Sequence, residues 1–186
     1  MALVEIHPRD GLKIALAYAT PHNFVGRKLY ENSYCFIEEA AVPCLEKALA
    51  LAKIQGYGLM VFDAFRPSEV QWKLWEHTPN PQYVADPRKG SPHTRGVAID
   101  LTLYDLATGE PLDMGTPFDD LTPLSHHGNE GVSLEAQRNR FIFLGIMSSA
   151  GWDHYRNEWW HYQLFDAKSF PLLNDADAPR SLLMAA

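Results

Sequence analysis

Ser91-Pro92-His93-Thr94-Arg95-Gly96-Val97-Ala98-Ile99-Asp100-Leu101-Thr102-Leu103-Tyr104 carries a strand signal and a ligand signal in one stretch. From Gly96 onward, Val97, Ile99, Leu101 and Leu103 alternate with Ala98, Asp100, Thr102 and Tyr104. That period of two predicts a strand with one apolar face and one mixed face, and Asp100 lies on the mixed face. His93 precedes the strand, in a loop. Unbroken strand geometry would send His93 and Asp100 to opposite faces. Bringing them together requires a bend near Arg95-Gly96, and Gly96 suits one.

The flanking segments set the class of fold. Upstream, Leu12 to Tyr18 reads as a short strand, with a turn at Pro21 to Asn23. Glu38 to Gln55 reads as a helix whose regular part begins at Val42, with Pro43 in its first turn and Gly56 as its stop. Leu45, Ala48, Leu49 and Ala52 form its apolar stripe. Gly58 to Phe62 is a strand, Pro67 to His77 a helix, and the Pro-rich Thr78 to Gly90 a loop. Asp105 to Gly131 is a long connection rich in turn formers, of the kind that often carries function. Ser133 to Ala150 is a helix with Ser133 as N-cap and Gly151 as stop. Trp159 to Phe165 is the last strand, and the residues after about 171 read as a loose tail. Helices and strands do not alternate regularly. The order predicts a single α+β domain, with helices on one face of a mainly antiparallel sheet.

Composition narrows the function classes. The chain has 186 residues, enough for one domain with a real core. Hydrophobic residues make up 46% and charged residues 21%, which is globular rather than disordered. The net charge is −7 and the cations are scattered, so no basic stripe is present to follow a phosphate backbone and nucleic acid is excluded as a partner. No apolar run is long enough to span a bilayer, and the N-terminus lacks a secretory pattern. The expected location is therefore cytoplasmic, away from the membrane. Cys35 and Cys44 make no disulfide framework and read as small core residues.

The chemistry comes from pairing the first stretch with Glu158-Trp159-Trp160-His161. His93, Asp100 and His161 supply two imidazoles and a carboxylate, a set that holds zinc with one position open. Glu158 is then a spare carboxylate. It cannot share a face with His161 on an ideal strand, so it must stand at a strand entrance, bulge or bend. There it can act as a general base toward water and as an acid toward a leaving amine. Arg66, in Asp63-Ala64-Phe65-Arg66-Pro67, either stabilises an oxyanion beside the metal or forms a salt bridge to Asp63 or another acid. His126-His127 is an adjacent pair whose side chains diverge, which favours a loop role. Trp72, Trp75 and Trp152 read as core rather than cofactor contacts.

These residues resemble the zinc peptidases of the D-alanyl-D-alanine dipeptidase and carboxypeptidase superfamily. Closer similarity to the dipeptidase branch is carried by Tyr18-Ala19-Thr20, Asn23-Phe24 and Gly26, Asp63 with Arg66-Pro67, Ser91 and His93 with Arg95-Gly96, Ala98-Ile99-Asp100-Leu101-Thr102-Leu103, Met114-Gly115, Phe118-Asp119, Ser125-His126, Ala136-Gln137-Arg138-Asn139-Arg140 and Glu158-Trp159-Trp160-His161. The resemblance implies one zinc ion held by His93, Asp100 and His161, with Glu158 as base and Arg66 on the tetrahedral intermediate. It also implies the α+β fold of the superfamily and a small closed cavity for a free dipeptide. Ser91 and Asp119 match positions that hold substrate: Ser91 serves the dipeptide carboxylate and Asp119 its ammonium.

Three rival readings stand beside this one. A D,D-carboxypeptidase acting on longer cell-wall peptides needs an open cleft. A non-haem iron oxygenase also uses two His and a carboxylate, but leaves Glu158 without a task. A non-enzymatic binding protein with a structural zinc leaves both Glu158 and Arg66 without one.

Overall fold

The computed structural model describes residues 2–185. In chain order the elements are β1 (Leu3–Glu5), β2 (Leu12–Ile14), β3 (Phe36–Glu38), α1 (Val42–Ile54), β4 (Tyr57–Asp63), α2 (Ser68–His77), β5 (Ala98–Asp105), α3 (Leu134–Ala150), β6 (Asp153–His154) and β7 (His161–Gln163). The fold is mixed α+β. β1 and β3 form a small antiparallel pair. The remaining strands form a five-stranded sheet in the order β2-β4-β5-β7-β6, in which β2 runs parallel to β4 and the other neighbours are antiparallel. Among the described residues, no helix is long and apolar enough to cross a membrane.

The helices form where the sequence places them, and for the expected reasons. In α1, Leu45, Ala48, Leu49 and Ala52 are buried, and the helix packs against α3 and β4. Ser133 caps α3 by accepting from the Ala136 amide, and Gly151 ends it at φ 106°, where a side chain would be strained. α2 buries Val70, Gln71 and Leu74. Its Trp72, expected in the core, is 43% exposed because it lies on the opposite face of that helix. Trp152 is buried, and Trp75 packs against the core.

Several boundaries differ from the sequence reading. The strand expected from Leu12 to Tyr18 stops at Ile14, and the chain then turns through a short 3-10 segment at Ala17–Ala19 that buries Tyr18. The last strand covers only His161–Gln163, because Trp159 and Trp160 belong to the turn before it.

The segment after Pro171 does not hang loose. Leu173 donates to the Thr94 carbonyl at 2.9 Å and accepts from the Ser68 amide at 3.1 Å. The Leu182 carbonyl accepts from the amides of Glu31 and Asn32, and its side chain is 0% exposed. A single buried apolar cluster runs from Leu3 to Leu182. Leu182→Ala is therefore expected to lower stability by about 2–5 kcal/mol. Denaturant unfolding will read this as a lower midpoint at constant slope. An unshifted midpoint would return these residues to the status of a tail.

Candidate active site

Strand register assembles most of the site. Asp100 on β5 sits opposite His161 on β7 and, on its other side, opposite Asp63 on β4. Directly opposed residues share a face of the sheet. The pairing of β4 with β5 slips by one residue between Val61 and Asp63, and that irregularity is what brings Asp63 to the face of Asp100.

His93 reaches the same place by the expected bend. His93–Arg95 form a 3-10 turn that ends on Gly96 in the left-handed region, at φ 70°. That backbone conformation calls for glycine, and a Cβ there would also crowd Leu3 Cδ2 at 2.6 Å. The turn is anchored by the Arg66 amide, which donates to the His93 carbonyl at 3.1 Å.

His93, Asp100 and His161 are all buried, and each offers a ligand atom within 4.8 Å of the others. The His93 Nδ1–H donates to the Ala64 carbonyl at 2.7 Å, which leaves the Nε2 lone pair facing inward. His161 Nε2 lies 3.1 Å from Gln163 Oε1, which leaves its Nδ1 lone pair inward. These two nitrogens are 3.0 Å apart. The Asp100 oxygens lie 3.0 Å from His161 Nδ1 and 3.1 Å from His93 Nε2. Burial opposes ionisation of Asp100, but the flanking His93 and His161 outweigh it and hold the carboxyl below the usual range. With both imidazoles neutral and their outer N–H groups engaged, three lone-pair donors converge on one point. That arrangement fits a bound divalent cation, which replaces mutual repulsion with coordination.

The donor set opens onto a cavity of about 300 Å³. Tyr18, Arg66, Ser91, Asp119 and Glu158 line it beside the three ligand residues. Glu158 stands in the turn ahead of β7, its amide bonded to the Tyr155 carbonyl at 3.2 Å. Its carboxylate comes within 3.9 Å of His161 Nδ1, and burial pushes its pKa up to about 8. Asp100 adds to that rise, while His161 and Arg66 oppose it.

Arg66 is 8% exposed and fixed on three sides. Its Nε donates to Asp63 at 2.8 Å, one terminal nitrogen to Gln71 at 3.1 Å and the other to Asp100 at 3.4 Å. The guanidinium also lies 5.1 Å from the Tyr18 ring centre. Arg66 thus forms the salt bridge to Asp63 that the sequence allowed, and it also lines the cavity.

Ser91 Oγ accepts from the His93 amide at 3.2 Å, leaving its hydroxyl hydrogen free to donate. Asp119 adopts φ 62°, the one non-glycine residue at positive φ among the described residues. It accepts from Tyr18 Oη at 3.1 Å. Burial and nearby Asp100 push its carboxyl well above its ordinary range, and a positively charged ligand group beside it would favour its ionised form.

Other sequence candidates lie elsewhere. His126 approaches Tyr83 Oη at 3.4 Å, while His127 turns away to pack against His154 and Tyr162. Burial lowers the His127 pKa to about 4. Cys35 is buried and Cys44 partly so; both are free, in line with a packing role.

Tyr18, Gln71, Tyr155 and Gln163 touch the site without having been singled out from sequence for any part in it. Only Gln71 carried a local signal, as an amide on the apolar face of α2. Asp63 was anticipated only as a salt-bridge partner of Arg66.

Comparison with known proteins identifies the family. The family model described as D-ala-D-ala dipeptidase matches residues 3–178. The D-alanyl-D-alanine dipeptidase of Escherichia coli strain K12 is 42% identical over 164 residues, covering 88% of this chain and 84% of the relative. The D-alanyl-D-alanine dipeptidase of Enterococcus faecium is 37% identical over 176 residues, covering 84% and 87%. A solved structure of VanYB in complex with D-alanine-D-alanine shows 15% identity and a TM-score of 0.47, with 73% of this chain and 75% of that one covered. With the match extending over nearly its whole length, this chain belongs to the D-ala-D-ala dipeptidase family.

Proposed function

We propose that this protein is a zinc-dependent dipeptidase that hydrolyses D-Ala-D-Ala to two D-alanines. The observation that carries the proposal is the convergence of His93, Asp100 and His161 at one cavity with Glu158 and Arg66 beside them. The names of its relatives agree with the assignment. His93, Asp100 and His161 would hold one zinc ion. When bound, zinc supplies Lewis-acid polarisation of a carbonyl oxygen and makes water more acidic.

The chain's own residues do the rest. Glu158 takes a proton from the attacking water and passes it to the leaving amine. Arg66 donates to the oxyanion that develops on the scissile carbonyl. Asp119 receives the ammonium group of the dipeptide, and the Ser91 hydroxyl donates to its carboxylate. A cavity of about 300 Å³ with buried Arg66, Ser91 and Glu158 in its wall favours a small free dipeptide over nucleic acid or a membrane surface. We read the chain as one domain, with helices on one face of a mainly antiparallel sheet; the packing of α1 against α3 and β4 supports this. A cytoplasmic location is part of the same reading.

Turnover of D-Ala-D-Ala, L-Ala-L-Ala and N-acetyl-D-Ala-D-Ala by the zinc-loaded protein tests the proposal. D-Ala-D-Ala should be the best substrate. The acetylated peptide should show kcat/KM about 10²-fold lower, because it leaves a buried carboxylate without its charged partner. Equal cleavage of the blocked peptide would refute the Asp119 assignment. No cleavage of D-Ala-D-Ala at full zinc occupancy would refute the enzyme.

A further inference from the structure

Residues 78–90 join α2 to the His93 turn and supply Pro81, Gln82, Tyr83, Val84 and Ala85 to the cavity wall. Within this segment the backbone bonds are local, as where Tyr83 and Val84 both donate to the Asn80 carbonyl. Side chains from elsewhere tie it to the body. Gln71 Nε2 donates to the Ala85 carbonyl at 2.7 Å, and Tyr155 Oη donates to the Gln82 carbonyl at 2.8 Å. These two bonds grip the wall near either end of its lining stretch.

Gln71 has a second contact that makes it more than a clasp. The side chain is 1% exposed, so both ends of its amide need partners. One end holds the Ala85 carbonyl, and the other accepts from Arg66 at 3.1 Å. A single rigid amide therefore spans the wall and the guanidinium. If the wall swings away, the amide loses its acceptor and is free to turn, and Arg66 loses one of its three supports. Pro81 to Ala85 form one side of the cavity, so the position of this wall limits the room left for a peptide.

We infer that Gln71 is a positioning and specificity-determining residue: it couples closure of the Gln82–Ala85 wall to the aim of Arg66, with Tyr155 as a second latch, and so restricts the enzyme to short substrates. The inference rests on the dipeptidase reading.

Three variants separate the roles. Tyr155→Phe removes only the bond to Gln82. Gln71→Glu keeps an acceptor for Arg66 but sets a carboxylate oxygen against the Ala85 carbonyl. Gln71→Leu removes both contacts. Each should be assayed on D-Ala-D-Ala and on glycyl-D-Ala-D-Ala, alongside hydrogen exchange over residues 78–90. All three should exchange faster in that segment and raise the tripeptide-to-dipeptide ratio of kcat/KM about tenfold, the scale of one lost hydrogen bond. Gln71→Leu should also lower kcat on the dipeptide about tenfold with little change in KM, and Gln71→Glu should recover most of that loss.

An unchanged length ratio with unchanged exchange in Tyr155→Phe and Gln71→Glu overturns the wall. Wild-type kcat in a folded Gln71→Leu protein overturns the coupling. Should Gln71→Leu not fold, the rescue comparison passes to the kcat of Gln71→Glu against Tyr155→Phe; a lower value in Gln71→Glu would then overturn the coupling. Failure of the dipeptidase reading has a different signature, since the wild-type protein itself would leave D-Ala-D-Ala intact.

Discussion

Glu158→Gln is expected to lower kcat on D-Ala-D-Ala by about 10³-fold while leaving the bound zinc in place. That factor corresponds to about 4 kcal/mol in the barrier. The substitution is nearly isosteric, and the site makes its consequence specific. Glu158 is 8% exposed, so an amide there stays shielded from bulk water that might substitute for the lost base. It stands 3.9 Å from His161 Nδ1, whereas Asp100 lies 3.0 Å from the same atom. Asp100 therefore belongs with the donor set, and Glu158 stands off from it. Metal analysis alongside kinetics distinguishes the two roles. Glu158→Gln should keep zinc and lose turnover, whereas His161→Ala should lose zinc as well. Near-normal hydrolysis by Glu158→Gln would remove Glu158 from the mechanism.

The centre of the fold was legible because β5 announces itself. Val97, Ile99, Leu101 and Leu103 set the period, and Gly96 marks the bend that lets His93 meet Asp100. For Glu158 the sequence left a strand entrance, a bulge or a bend open, and the structure sets it in the turn just ahead of β7. What could not be read was geometry without a periodic trace. The one-residue slip near Phe62 decides that Asp63 faces Asp100, yet nothing local in Leu59-Met60-Val61-Phe62 signals it.

β1, β3 and β6 have two or three residues each, too few to show an alternation. The segment after Pro171 looked loose because Asn174, Asp175 and Asp177 are turn formers. Its apolar residues pair with partners far away in sequence, as Leu182 does with Glu31 and Asn32. The contacts of Gln71 and Tyr155 to the carbonyls of Ala85 and Gln82 are of the same kind. They join side chains to backbone across the fold, and no spacing rule reports such bonds.

Arg66→Ala is expected to lower kcat by about 10²- to 10³-fold, with a smaller effect on KM. The reason is preorganisation. Asp63, Gln71 and Asp100 hold the guanidinium before substrate arrives, so its remaining N–H groups meet developing charge without reorganising. Interactions that strengthen as the oxyanion forms act on kcat rather than on binding.

The same contacts create a second cost. Asp63 is 0% exposed, and burial already raises its pKa against the opposing pull of Arg66. Removing the guanidinium strands that carboxylate, which typically destabilises by about 3–5 kcal/mol. Kinetics must therefore be referred to the folded fraction, measured by circular dichroism under assay conditions. Arg66→Lys separates the two effects. A lysine restores positive charge near Asp63 and so recovers part of the stability. A single ammonium cannot reproduce the three-sided guanidinium fork, so most of the turnover loss should remain. A variant that folds, binds zinc and shows only a raised KM would make Arg66 a ground-state contact and would leave the oxyanion without a protein donor.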